Sequence, residues 1–352
     1  MSWYAVESVD DAIDTTRSFL FPIEPATWLR LALITIFVGV GGGGISSVIN
    51  LTNGLGETPS ESTQQEPASV PTDTAAEVLP TEPTLVAAIA GVVVLVVLIS
   101  LGWRWVSETL RLVFYDGLRT GTVRLLDPAS RRIGQAFRLF VFTLAIDIAV
   151  AIPFVLTGIL IFSTVSDTVG EPVGFAGILL LAGVAAFSFV TGQIVKRVTT
   201  EFVAPVMVLT DAGVLDGWRR FWPVLRSNMA QFGVYVLIHF LLLVAISIGK
   251  SIIVVFSFGI VGIIGGIVGL VVCTVAFGGL GAAVGSTAGV FTLGVIVLLV
   301  LLIVFVLQLP INIVVLTYVF SYELSVLGAA DQELRLLPTP TDDTGSATTP
   351  TA

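Results

Sequence analysis

Six apolar runs dominate the chain, near residues 28–50, 84–105, 136–162, 173–195, 232–256 and 290–320. Each is long enough to cross ~30 Å of hydrocarbon at about 1.5 Å per residue. Fifteen of the sixteen Lys and Arg residues fall in four clusters that a six-crossing path places on one side: Arg17 and Arg30; Arg104, Arg111, Arg119, Arg124, Arg131, Arg132 and Arg138; Lys196, Arg197, Arg219, Arg220 and Arg226; Arg335. Basic flanks are retained in the cytoplasm, so the sequence predicts six crossings in the cell membrane with the N- and C-termini both cytoplasmic. Lys250 alone departs from the pattern, and its long stem is expected to let the ammonium snorkel to the outer surface.

With 55% hydrophobic and 12% charged residues, a soluble globular domain, nearer ~25% charged, is excluded. The expected class is all-α: a polytopic integral membrane helical bundle, with residues 1–337 as one membrane domain and 338–352 as a disordered Thr/Pro-rich tail. The net charge of −9 and the presence of only two lysines, Lys196 and Lys250, suit a high-salt cytoplasm where like-charge repulsion is screened, as in a halophilic archaeon. Cys273, the single cysteine, reads as a small buried hydrophobe. The first 27 residues lack a basic n-region and an apolar h-region, so the first crossing is expected to serve as the insertion signal.

Residues 51–83 carry Glu57, Glu61, Glu66, Asp73, Glu77 and Glu82 and no basic residue, which predicts a disordered external loop. The Asn50 sequon lies so close to the membrane end that it is expected to be unoccupied. Segments 103–126 and 214–226 interleave apolar residues and arginines at helical spacing, predicting amphipathic helices in the interface plane. In the second, Asp211 or Asp216 is the expected cap and Pro223 the expected bend. Residues 133–140 and 214–221 share an aliphatic-x-x-small-aromatic-Arg-x-Phe pattern with a fainter copy at 9–13, suggesting three units of interfacial helix plus transmembrane hairpin. Residues 258–289, with ten glycines, are expected to form two short helices or a re-entrant apolar hairpin. Gly262 with Gly266, and Gly265 with Gly269, have the spacing that lets helices approach closely, within the chain or in a homo-oligomer.

Trp3-Tyr4-Ala5-Val6, Phe19-Leu20-Phe21-Pro22, Trp28-Leu29-Arg30-Leu31 leading to Gly41–Gly44, Asp116-Gly117-Leu118-Arg119, Phe202–Met207, Gly217-Trp218-Arg219, Phe221-Trp222-Pro223 and Leu334–Pro338 resemble uncharacterised haloarchaeal multi-pass membrane proteins. The pattern is also similar to the membrane domain fused to some glycerophosphodiester phosphodiesterases. The histidines and metal-binding carboxylates of the attached hydrolase domain are not among these residues, so the resemblance carries no catalysis. It implies a six-helix membrane domain of undetermined activity.

H-E-x-x-H, phosphate-binding glycine loops, paired cysteines and G-x-S-x-G are all absent from the sequence, and His239 is the only histidine. A His-rich metal site or a two-histidine mechanism is therefore impossible. No catalytic residue, cofactor, metal or nucleic-acid partner is expected. The Gly41–Gly44 run lacks a P-loop lysine and reads as a helix break or a close-packing patch. Counted from the inner end of each crossing at about 1.5 Å per residue, Asp147, His239, Asn312 and Gln308 share one depth band, making them a candidate mid-membrane polar cluster. Arg131, Arg132, Arg219, Arg220 and Arg226 are candidate lipid-headgroup contacts. The expected function is a non-enzymatic membrane scaffold or accessory protein that touches lipid headgroups or a protein partner. The alternative is a secondary transporter or channel that uses the polar cluster.

Overall fold

A computed structural model describes residues 4–41, 83–165 and 175–337. The Asn50 sequon, Gly42–Gly44, the acidic stretch 51–82 and the tail from Pro338 lie outside the described residues. Those described are helix and turn without a strand. In chain order the elements are α1 (Tyr4–Leu20), α2 (Pro25–Gly41), α3 (Pro83–Thr120), α4 (Leu126–Val165) and α5 (Phe175–Val198). A π-turn (Thr199–Val203) then leads into α6 (Ala204–Thr210), followed by α7 (Val214–Ser227), α8 (Met229–Phe277), α9 (Leu280–Val284), α10 (Thr287–Ala330) and a 3₁₀ turn (Gln332–Leu334).

Five helical stretches are long and apolar enough to cross a membrane, and α2 is a shorter apolar helix. The sixth expected span is thus represented by α2 alone. The long helices exceed what a bilayer needs. At about 1.5 Å per residue, the 38 residues of α3 extend ~57 Å. Their two halves have different surroundings. Val92–Ile99 of α3 are all about half exposed, whereas Ser107–Tyr115 of the same helix are buried without a break. Residues 201–208 and 319–324 are enclosed in the same way. One hydrophobic core therefore sits at the end of the bundle where the basic clusters lie, built from α1, α2, the ends of α3 and α10, the π-turn, α6 and α7. The other ends expose apolar side chains over most of their circumference, a surface that water does not tolerate and hydrocarbon does.

Amphipathic α1 explains how the core closes. Ala5, Ser8, Ala12 and Thr16 form a buried stripe at intervals of three and four, small enough for α1 to lie directly against α10. Tyr322 on α10 donates to the Ala5 carbonyl at 3.1 Å, and Leu334, Leu336 and Leu337 join the same core. The first and last described segments thus meet at one end of the bundle. Segment 103–126 departs from the expected interfacial helix: its helical part continues α3 into the core, where Ser107–Tyr115 are enclosed and Arg111 is buried, while Arg119 at its end stays exposed. Segment 214–226 is a separate amphipathic helix, α7, but its apolar face (Val214, Gly217, Phe221, Val224) is buried in protein. Gly213 precedes it with no side-chain cap, and Pro223 sits inside it without ending it. Residues 133–140 are the continuous start of α4, so the repeated interfacial helix stands alone only as α1 and α7.

The glycine-rich region forms a hairpin with far longer arms than expected. Residues 258–277 continue α8 unbroken to 49 residues, and the chain reverses only where Gly278 and Gly279 take φ of 76° and 141°. Such angles are open to glycine and costly for other residues. Ser286 caps α10 by accepting the Gly289 N–H at 3.1 Å. Of the paired glycines, the Gly265 face is used inside the chain, since a Cβ there would lie 2.2 Å from the Val300 side chain. Gly262 and Gly266 face open space beside a cleft of about 520 Å³ between the arms. Lys250 is not near a helix end; it lies half-buried in the middle of α8, 21 residues beyond Met229.

Candidate functional site: a buried carboxylate–histidine cluster

The π-turn organises the site, and local sequence accounts for it. The hydroxyls of Thr199 and Thr200 bond back to the carbonyls of Val195 and Lys196, competing with the helical ladder. Pro205 has no N–H to give the Glu201 carbonyl and would crowd it in a regular helix. The Ala204 N–H therefore reaches back to Thr199 O, and the freed Thr200 carbonyl accepts the Tyr115 hydroxyl at 2.9 Å. Trp218 Nε1 donates to Thr199 Oγ1 at 3.1 Å, fixing α7 to the same turn. Such wide turns inside helices are frequent at functional sites.

The turn directs Glu201 inward. One carboxylate oxygen accepts from Arg197 Nε at 2.7 Å, and the other accepts from the Tyr235 hydroxyl at 2.8 Å. Tyr235 also bonds His239 Nδ1 at 2.8 Å, and His239 Nε2 stands 4.0 Å from Glu201 Oε1. Glu323, 5% exposed on α10, completes the group: one ligand atom each from Glu201, His239 and Glu323 lie within 4.8 Å of one another. Among the described residues no hydrogen bond or ion pair reaches the Glu323 carboxylate. Nearby on α3, Arg111 and Glu108 form a buried pair at 3.6 Å, and the Arg111 guanidinium lies 6.0 Å from the Phe320 ring centre. Arg111 is also within electrostatic range of Glu201 and Glu323. Glu108 Oε2, Arg111 Nε, Ser107 Oγ and Ser321 Oγ are buried without a hydrogen-bond partner.

The four residues expected to cluster are divided. Asp147 is bound by Arg104 and by Lys196, the latter at 2.7 Å, and staples α4 to α3 and α5. Its side chain remains 29% exposed. His239 belongs to the carboxylate cluster. Gln308 is buried with neither amide atom paired, and Asn312 is half-buried. They lie 15 and 11 residues before Glu323, so ~22 and ~16 Å along α10 from the His239 level. The shared depth fails because α10 runs on to Ala330, ten residues past the assumed end of its crossing. Among the described residues no hydrogen bond or ion pair links Asp147 to the other three.

Of the expected headgroup contacts, Arg132 is removed by its partners: it is buried and bonds Asp211 at 2.5 Å, Asp116 at 3.1 Å and Gln135 at 2.9 Å. Asp211, with φ of 51°, is thereby a partner for Arg132 rather than a cap for α7. Arg131, Arg219, Arg220 and Arg226 remain exposed. Glu108, Glu201 and Glu323 stand beside long apolar runs, a weaker sequence signal than Asp147 within one. Their position near the basic clusters makes them look like solvated flanks.

The architecture has a counterpart among protein families: residues 3–337 match the family described as a family of unknown function (DUF7544). The chain belongs to that family. The match covers the described core, the π-turn and the hairpin alike. No curated protein and no solved structure matches the chain.

Proposed function

We propose that this member of DUF7544 is a non-enzymatic, multi-pass scaffold of the cell membrane whose basic end rests on anionic lipid headgroups. The observation that carries the reading is α7. Its apolar face is locked into the core, so Arg219, Arg220 and Arg226, with Trp222 beside them, stand outward at the end that the charge distribution assigns to the cytoplasm. Arg131 adds to the same set of exposed cations. Asp147, held by the two cations Arg104 and Lys196, supports a structural role over transport. The acidic, lysine-poor composition fits a salt-rich cytoplasm.

Six crossings belong to the same proposal. Because α1 packs against the final stretch of α10, the path between them crosses an even number of times, and α2 joins the five longer stretches as the sixth crossing. Cysteines placed at Val70 and Pro340 in a Cys273→Ser background are expected to react with an impermeant reagent from outside and from inside respectively. Labelling of residue 340 from outside would refute the six-crossing path.

Each arginine near an anionic surface contributes about 1 kcal/mol. Adding anionic lipid to the detergent-purified chain is therefore expected to raise its thermal midpoint in a salt-sensitive way. The triple substitution Arg219→Gln, Arg220→Gln, Arg226→Gln is expected to remove most of that rise and leave the midpoint in neutral lipid unchanged. An equal rise with neutral and anionic lipid would sink the headgroup reading. Solute flux through proteoliposomes that disappears in Asp147→Asn would favour a transporter in its place.

A further inference from the structure

We infer that Glu201, His239 and Glu323 are the three protein ligands of a divalent first-row metal ion, Zn²⁺ or Mn²⁺ in type. The argument begins with the Tyr235 hydroxyl, which has one hydrogen and two neighbours. Glu201, already accepting from Arg197, can only accept, so the hydroxyl hydrogen goes to Glu201. His239 must then supply the hydrogen of its own bond to Tyr235 from Nδ1. A neutral imidazole protonated at Nδ1 leaves the Nε2 lone pair bare, and Nε2 is the atom facing Glu201. The unpartnered Glu323 carboxylate meets it there. Three lone-pair donors thus converge with no hydrogen between them, an arrangement that calls for a cation.

Charge and geometry select a divalent one. Metal ligation requires deprotonated carboxylates; in that state Glu108, Glu201, Glu323 and Arg111, all buried, would carry net charge −2, while the Arg197 side chain is 36% exposed and partly screened by solvent. Three ligands held ~2.1 Å from a tetrahedral ion stand ~3.4 Å apart, so ligand atoms within 4.8 Å of one another would draw in by up to ~1.4 Å to close on it. One imidazole and two carboxylates suit Zn²⁺, Mn²⁺ or Fe²⁺ better than a thiolate-seeking ion. Arg197 and Tyr235 occupy orienting positions: Tyr235 holds His239 by Nδ1, the nitrogen turned away from Glu201, and the two together hold Glu201 by its two carboxylate oxygens. Tyr235 is a positioning residue. The ion would join α5, α8 and α10 at the π-turn.

The test uses the full chain in detergent, stripped with a chelator and titrated with Zn²⁺ and Mn²⁺. Calorimetry is expected to show one tight site per chain, and electron–nuclear coupling on bound Mn²⁺ is expected to show one imidazole nitrogen. Glu323→Gln and His239→Gln should abolish the tight site, and Tyr235→Phe should weaken it about 10–100-fold. The metal-free thermal midpoint of each variant reports whether it folds. If the two ligand variants fail to fold, the nitrogen coupling in the wild-type protein and the affinity of Tyr235→Phe still decide the matter. Uptake that survives in folded Glu323→Gln and His239→Gln places the ion elsewhere, for example on the acidic stretch 51–82, and overturns the assignment. Absence of tight uptake by the stripped wild-type chain, or bound Mn²⁺ without nitrogen coupling, does the same.

Discussion

Replacing Phe202 by alanine is expected to destabilise the protein by about 3–5 kcal/mol, the range for emptying a large aromatic site in a core. Phe202 is 2% exposed and sits on the π-turn. Its ring stacks on Phe221 of α7 at 5.2 Å and 4°, and meets Phe232 and Tyr235 of α8 edge-on at 5.2 and 5.0 Å. Each such pair adds about 0.5–1.5 kcal/mol beyond the apolar area it covers, and one truncation removes three. Unfolding of the purified chain by heat or by graded denaturing detergent reads the loss. The control is Phe256→Ala on the far half of α8, where the ring is 66% exposed to the surroundings of the bundle. In hydrocarbon that truncation leaves no cavity, and a change under ~1 kcal/mol is expected. Equal losses at the two positions would mean that the basic end is not the stabilising core.

The contrast between these phenylalanines shows how much of the fold was readable. Apolar run length gave the long helices, because it depends on local composition. The enclosure of Ser107–Tyr115 was not readable, since an arginine-bearing helical face looks the same whether lipid, water or another helix covers it. The hairpin was misjudged for a similar reason: glycine lowers helix propensity by only about 1 kcal/mol per residue, and packing of Gly265 against Val300 overrides it. Only at Gly278 and Gly279 does glycine break the helix, and nothing local separates them from the glycines before them.

The site was legible in one residue of three. His239 stood out as the single histidine inside an apolar run, and its partners are set by tertiary structure. Glu201 and Glu323 are 122 positions apart in sequence, and they meet only because α8 and α10 converge at the π-turn. Asp147 was the better sequence candidate and proved to have two cationic partners, one of which, Arg104, lies 43 positions away on α3. A lone charge in an apolar run says that a partner exists without saying which.

Removing Arg111 alone tests how tightly that buried network is balanced. Arg111→Met keeps the length and most of the volume of the side chain, but it leaves Glu108, 5% exposed, without the cation paired with it and takes positive charge from the side of Glu201 and Glu323. Stripping one partner from a buried pair costs about 3–5 kcal/mol, mostly because the remaining charge stays desolvated. Since Glu108 Oε2 and Arg111 Nε already lack hydrogen bonds, the pair itself contributes little. The double variant Glu108→Gln, Arg111→Met is therefore expected to recover most of the stability lost in the single one, and the two thermal midpoints measure the coupling directly. Additive losses would show that the two side chains act separately. In that case Arg111 would be held for its field on Glu201 and Glu323 rather than for its pairing with Glu108, and its loss would weaken metal uptake even in the double variant.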